Sequence, residues 1–225
     1  MEHQSLYRAG LISAIVSTVG WIAYILGSTQ ASIPLSLTGS DWFTALEEAR
    51  FGFALYGWGG TIGTLFSIPY VLAFHAATER SGSVRGIATI GAIIGAAFTF
   101  LGFVEPLTKV HFILPAGDGI SGSELALLEA SARALEYVFE VPWFLGSFLI
   151  YGFGSTLLAW YALKSTQTPK WINVVGIIGG AAGLTWLRPF IPIPEFLTLP
   201  MSLLNIVLLS VWCIALSASL VQRSA

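Results

Sequence analysis

Long apolar runs broken by brief polar stretches set the rhythm of this chain. Six runs stand out: Tyr7–Gly27, Phe51–Ala77, Gly86–Val104, Tyr137–Leu163, Trp171–Leu187 and Leu197–Val221. About 20 apolar residues in a helix cross a hydrocarbon layer about 30 Å thick. Each run therefore predicts one membrane-spanning helix. The polar intervals are short and leave room only for a single transmembrane domain over residues 1–225. In the first run Arg8 stands ahead of the apolar stretch and small residues follow near Ala31, as in a signal peptide. The run is long for a signal core and reads as the first span. The fold class expected is an all-α membrane protein, a six-transmembrane-helix bundle.

The pattern between the third and fourth runs is different. Residues 105–120 contain Pro106, Pro115, Gly117, Asp118 and Gly119 and read as an irregular loop. Ser121 and Glu124 then have the spacing of a capping box. From there a helical pattern continues to Leu163, which at about 1.5 Å per residue is about 60 Å, twice the hydrocarbon thickness. An additional outer helical segment is thus expected before the fourth span, with a kink or break at Pro142. The run Pro189–Pro200 holds four prolines and reads as a stiff connection into the last span.

Composition strengthens the membrane reading. The chain is 55% hydrophobic and 10% charged, against about 25% charged in a typical soluble domain. Net charge is −2, which argues against nucleic acid as a partner. The single cysteine, Cys213, permits no internal disulfide and no cysteine-based metal cluster. The basic residues Arg8, Arg80, Arg85, Lys164, Lys170 and Arg223 fall on the side of the two termini, with Glu2 and Glu79. Arg50, Lys109, Arg133 and Arg188 fall on the other side, with the remaining acids. The positive-inside rule then predicts an inner-membrane protein with both termini cytoplasmic. Trp42, Trp143 and Trp186 are expected at the outer boundary and Trp160 and Trp171 at the inner one. Trp21, Trp58 and Trp212 are expected to pack between helices, as are Asn173, Asn205 and Cys213.

Two matches suggest an internal duplication of helices 2–3 and 4–5. Tyr56–Thr61 (YGWGGT) resembles Tyr151–Thr156 (YGFGST), and Ile87–Ala97 (IATIGAIIGAA) aligns with Ile172–Ala182 (INVVGIIGGAA). Glycine and alanine are common in membrane helices, so chance similarity is the competing account. The spacings Gly59–Gly63, Gly91–Gly95, Gly176–Gly180 and Gly179–Gly183 allow close backbone approach. Packing within the chain is preferred to a dimer face.

The candidate chemistry lies on the outer side. Glu129, Arg133, Glu136 and Glu140 share one helix face. Glu129 and Arg133 suit an ion pair, and Arg133 can also reach Glu136. Glu136 and Glu140 repel each other unless water, a proton or a cation intervenes. Arg50, Arg188 and Lys109 are the candidate cations. One account makes the stripe a solvated anchor, since charges at helix ends are usually positional. The other makes it a polar vestibule lined by Glu136, Glu140, Arg133, Glu105, Arg50 and Arg188, because boundary carboxylates mark ligand or ion paths. His75 and His111 fall on opposite sides and cannot share a ligand. No nucleotide-binding, zinc-protease or hydrolase motif is present, so no catalytic, cofactor or metal residue is assigned.

The layout resembles an uncharacterised class of bacterial six-helix integral membrane proteins, a domain of unknown function. The resemblance rests on the short N-terminus, the long outer stretch before the fourth span, and the turn Pro169-Lys170-Trp171 before Gly176, Gly179 and Gly180. It implies no activity. The function expected from the residues is non-enzymatic binding or passage of a small solute, lipid or proton through an outward-opening cavity. An accessory or scaffold subunit of a larger membrane complex is the alternative, and a membrane-embedded enzyme the third. The expected partners are the lipid bilayer and a small solute or a membrane-protein partner.

Overall fold

The computed structural model describes residues 4–78, 83–164 and 168–224. Glu2, Glu79 and Arg80, used above for orientation, lie outside the described residues. Six helical stretches are long and apolar enough to cross a membrane. We label them with one further helix in chain order: α1 (Gln4–Ser28), α2 (Gly39–Glu48), α3 (Arg50–Ala77), α4 (Ser83–Gly117), α5 (Ser123–Ala162), α6 (Lys170–Leu187) and α7 (Glu195–Ser224). Among the described residues there is no strand. All of these except α2 are long and apolar enough to span, and six of them put Gln4 at the start of α1 and Ser224 at the end of α7 on one side of the bundle. The distal side carries α2, the end of α4 and the start of α5.

Neighbour relations close into a ring: α1 packs on α3 and α7, α4 on α3 and α5, and α6 on α5 and α7. Small residues set the closest approaches, as GxxxG spacing suggests. A Cβ added at Gly20 would lie 2.5 Å from the backbone nitrogen of Gly63, and one at Gly59 2.5 Å from that of Tyr24. Gly95 and Gly146 do the same for α4 and α5, each Cβ position falling within 2.8 Å of the other residue's carbonyl oxygen. The aligned glycines of the suggested repeat are used differently. Gly95 meets α5, outside its own hairpin, whereas Gly180 meets Thr156 inside its own.

Aromatic rings fill the middle of the ring of helices. Trp21 on α1 meets Tyr151 on α5 edge-on at 5.0 Å, and Tyr24 meets Phe103 on α4 at 5.8 Å. Asn205 ties three helices together by donating to Tyr151 O (2.9 Å) and Gly179 O (2.7 Å) and accepting from Trp186 Nε1 (3.0 Å). Asn173 donates to Thr168 Oγ1 at 2.8 Å and accepts from Trp212 Nε1 at 3.4 Å. Both asparagines and Cys213 are buried, as expected of packing residues. Trp160 and Trp171 are exposed, in keeping with an interfacial belt. Trp42 and Trp186 are not: each is buried within the protein, and Trp58 is half exposed instead of packed.

The distal layer departs most from the sequence reading. Residues 105–117 are not an irregular loop but a continuation of α4. Pro106 and Pro115 sit in the first turns of successive short helical pieces, Val104–Thr108 and Leu114–Gly117. A first-turn proline lacks only an N–H that has no helical partner anyway. A π-helical turn, Lys109–Ile113, joins the pieces. The box at Ser121 does not form either. Gly122, at φ +59°, precedes the first residue of α5, Ser123, and no side chain caps it. Nor does α5 break at Pro142. It runs through that proline and a π-helical stretch, Phe148–Gly154, to Ala162. Ser155 Oγ donates to Ile150 O at 2.7 Å across this stretch. Likewise α7 begins at Glu195 and contains Pro200, so only residues 189–194 form the connection.

At 35 and 40 residues, α4 and α5 are about 50 and 60 Å long, well beyond a 30 Å hydrocarbon layer. Their excess length stands on the distal side and packs with α2. Trp42 and Leu46 of α2 join Phe53, Val110, Ile113, Leu114 and Ala132 in a second buried cluster, separate from the main core.

Candidate functional site

A cavity of about 500 Å³ opens between this distal layer and the bundle. Its wall includes Glu105 and Lys109 from α4, Arg133, Glu136 and Glu140 from α5, and Phe53 and Tyr56 from α3. Trp42, Tyr137, Phe139 and Trp143 complete an aromatic lining. Of the six residues proposed from sequence as a vestibule, Glu105, Arg133, Glu136 and Glu140 meet here. Arg50 and Arg188 do not line it: Arg50 is exposed at the start of α3, and Arg188 lines a separate cavity.

The cation that separates the carboxylates is Lys109. Its Nζ lies 2.5 Å from Glu105 Oε1, pairs with Glu136 Oε1, and sits 4.6 Å above the centroid of the Phe53 ring. Lys109 and Glu105 are almost fully buried. Charges taken this far from water need close partners, and here each has one. Glu105 and Lys109 stand four apart on one helical face, a spacing plain in the sequence once 105–117 is helix. The prolines and glycines of that stretch concealed it.

Arg133 behaves differently from expectation. It does pair with Glu129, Nε to Oε1 at 2.9 Å. It does not turn toward Glu136; its Nη2 donates to Leu37 O at 2.6 Å. Glu129 Oε2 accepts from the Gly39 backbone N–H at 2.7 Å, at the start of α2. A carboxylate there satisfies one of the orphan donors of a helix N-terminus and suits its positive dipole end. The front half of the charged stripe is thus a clasp that fastens α2 to α5. The back half, Glu136 and Glu140, belongs to the cavity. Glu140 is exposed and makes no ion pair among the described residues.

The remaining polar candidates are dispersed. His75 Nδ1 is 2.8 Å from Thr89 Oγ1, and His111 is exposed with its ring edge-on to Trp58 at 6.1 Å. The residues that sequence reasoning missed are the aromatic ones, above all Tyr56 and Trp143. Tyr56 stacks in the chain of rings Tyr24–Tyr56–Phe103, with centroids 5.1 and 5.9 Å apart. Trp143 is not simply a boundary-belt residue, as its position in the sequence suggests; it lines both this cavity and the separate one that holds Arg188.

Six apolar spans in a closed ring, with a distal layer over a polar cavity, define a multi-pass integral membrane protein. The chain belongs to the DUF4386 family, a domain of unknown function, whose model matches residues 9–217. No curated protein and no solved structure matches it.

Proposed function

We propose that this protein binds a small, positively charged organic solute in the distal cavity, as a receptor site or the entrance of a path into the bundle. The observation that carries the reading is the placing of Glu136 and Glu140 in one aromatic-walled cavity of about 500 Å³. That volume is within the usual range of small-ligand sites. Arg133 is neutralised by Glu129, so Glu105, Glu136 and Glu140 face the single ammonium of Lys109. The surplus is negative. Tyr56, Tyr137 and Trp143 add ring faces, which attract alkylammonium groups electrostatically. The positive-inside rule supports an outward-facing cavity in a plasma or inner membrane with both termini cytoplasmic.

Tryptophan fluorescence of the purified protein, titrated with tetramethylammonium chloride, tests this reading, since Trp42 and Trp143 both line the site. Saturable quenching is expected, weakened about tenfold in Glu140→Gln, a loss of about 1.4 kcal/mol. Quenching that is absent, or equal in the wild type and the variant, overturns it. Uptake of the same cation into proteoliposomes separates passage from binding alone.

A further inference from the structure

The second distal cavity, of about 290 Å³, lies on the other side of Trp143, among α5, α6, α7 and Tyr24 of α1. It contains one cation and one anion, Arg188 and Glu195. These do not pair: no carboxylate lies within 4.0 Å of the Arg188 guanidinium among the described residues. Instead Arg188 lies over the Phe144 ring, its Cζ 4.9 Å from the centroid. That stacking holds the planar fork in place and leaves its N–H donors free for an oxyanion.

Hydroxyls complete the site. Thr185 Oγ1 donates to Ala182 O at 3.0 Å, and Ser202 Oγ lies 3.3 Å from the same Thr185 oxygen. With the Thr185 hydrogen already committed, Ser202 is the donor to Thr185 Oγ1, and rotation of its hydroxyl exchanges that bond for one to an incoming oxygen. The surroundings are apolar: Leu199 lines the cavity and is exposed, and Leu184, Phe190, Ile191 and Phe196, next or close in sequence to the lining residues Thr185, Arg188 and Glu195, are also large and exposed. A site for free phosphate has no use for such exposed apolar side chains close by, whereas acyl chains have.

We propose that this cavity seats the headgroup of a zwitterionic phospholipid, the phosphate on Arg188 and Ser202 and the ammonium toward Glu195. Two opposite charges that share a cavity without joining match a headgroup whose own opposite charges are separated by a short linker. An anionic lipid would satisfy Arg188 but leave Glu195 facing like charge. The Arg188 site stands apart from the solute cavity and does not depend on the solute reading.

Native mass spectrometry of the detergent-purified protein tests the assignment, with phosphatidylethanolamine, phosphatidylglycerol and inorganic phosphate as separate probes. Phosphatidylethanolamine is expected to remain bound at detergent levels that strip phosphatidylglycerol. Arg188→Gln is expected to weaken both lipids about tenfold, and Glu195→Gln to weaken phosphatidylethanolamine alone, closing the gap between them. Both side chains are exposed, so folding is preserved, and an unchanged melting curve verifies it for each variant. Equal retention of the two lipids by the wild type overturns the proposal. So does unaltered binding in Arg188→Gln, or competition by inorganic phosphate at lipid concentrations, which would make the cavity a plain anion site.

Discussion

Lys109 decides the character of the distal cavity. Its ammonium is one of very few buried charges among the described residues, and two carboxylates depend on it. Removing one member of a buried ion pair leaves an uncompensated charge, at a cost of about 3–5 kcal/mol. Lys109→Met is therefore expected to lower the thermal unfolding midpoint in detergent sharply. The double variant Lys109→Met, Glu105→Gln is expected to recover most of the loss, because Glu105 is the buried partner whereas the Glu136 side chain is 41% exposed and keeps water. A single variant as stable as the wild type would show that the triad is solvated and the cavity open to bulk water. Lys109 was visible in the sequence only as one of three candidate cations. What selected it was the helical continuation of α4, which puts it one turn from Glu105 and opposite Glu136.

Among elements, the contact of α1 with α3 is the most exacting. Gly20 and Gly59 each bring their helix against the other's backbone, and no side chain there can move aside. Overpacking at such a site costs about 1–3 kcal/mol. Gly20→Ala is expected to lower the unfolding midpoint. Gly86→Ala on α4, where an added Cβ meets nothing within 4 Å, is expected to leave it unchanged or raise it slightly. Equal midpoints for the two variants would sink the backbone-contact account. The glycine spacings announced this kind of contact, and the packing of Gly59, Gly63, Gly95, Gly176, Gly179, Gly180 and Gly183 is indeed within the chain. The partner of each glycine was beyond the reach of spacing, since Gly95 and Gly180 align in sequence and meet different helices.

For the whole molecule, the question is which way the distal layer points. Three spans, α3, α4 and α5, lie between Glu47 of α2 and Lys164 and put the two on opposite sides, and both are exposed. Cys213 is buried, and replacing it with serine gives a background without a competing thiol. In intact cells, a membrane-impermeant maleimide is expected to label Glu47→Cys at once and Lys164→Cys only after permeabilisation. The reverse result would place the cavity in the cytoplasm and overturn the outward-facing reading. The labelling bears on orientation alone, since either result leaves the six spans intact.

Sequence by itself determined the solvent and the number of spans, because apolar length against a fixed hydrocarbon thickness is a one-dimensional quantity. It also determined the Glu129–Arg133 pair, whose four-residue spacing a helix brings together wherever it lies. It did not determine what the charged stripe is for. Tertiary structure divided that stripe between a clasp on the N-terminus of α2 and the wall of a cavity. It also drew Arg188 away into a site of its own. Such choices depend on which distant elements stand opposite each side chain. Two prolines placed harmlessly in first turns, and two π-helical turns that shift the helix faces, set that register across dozens of residues of sequence separation.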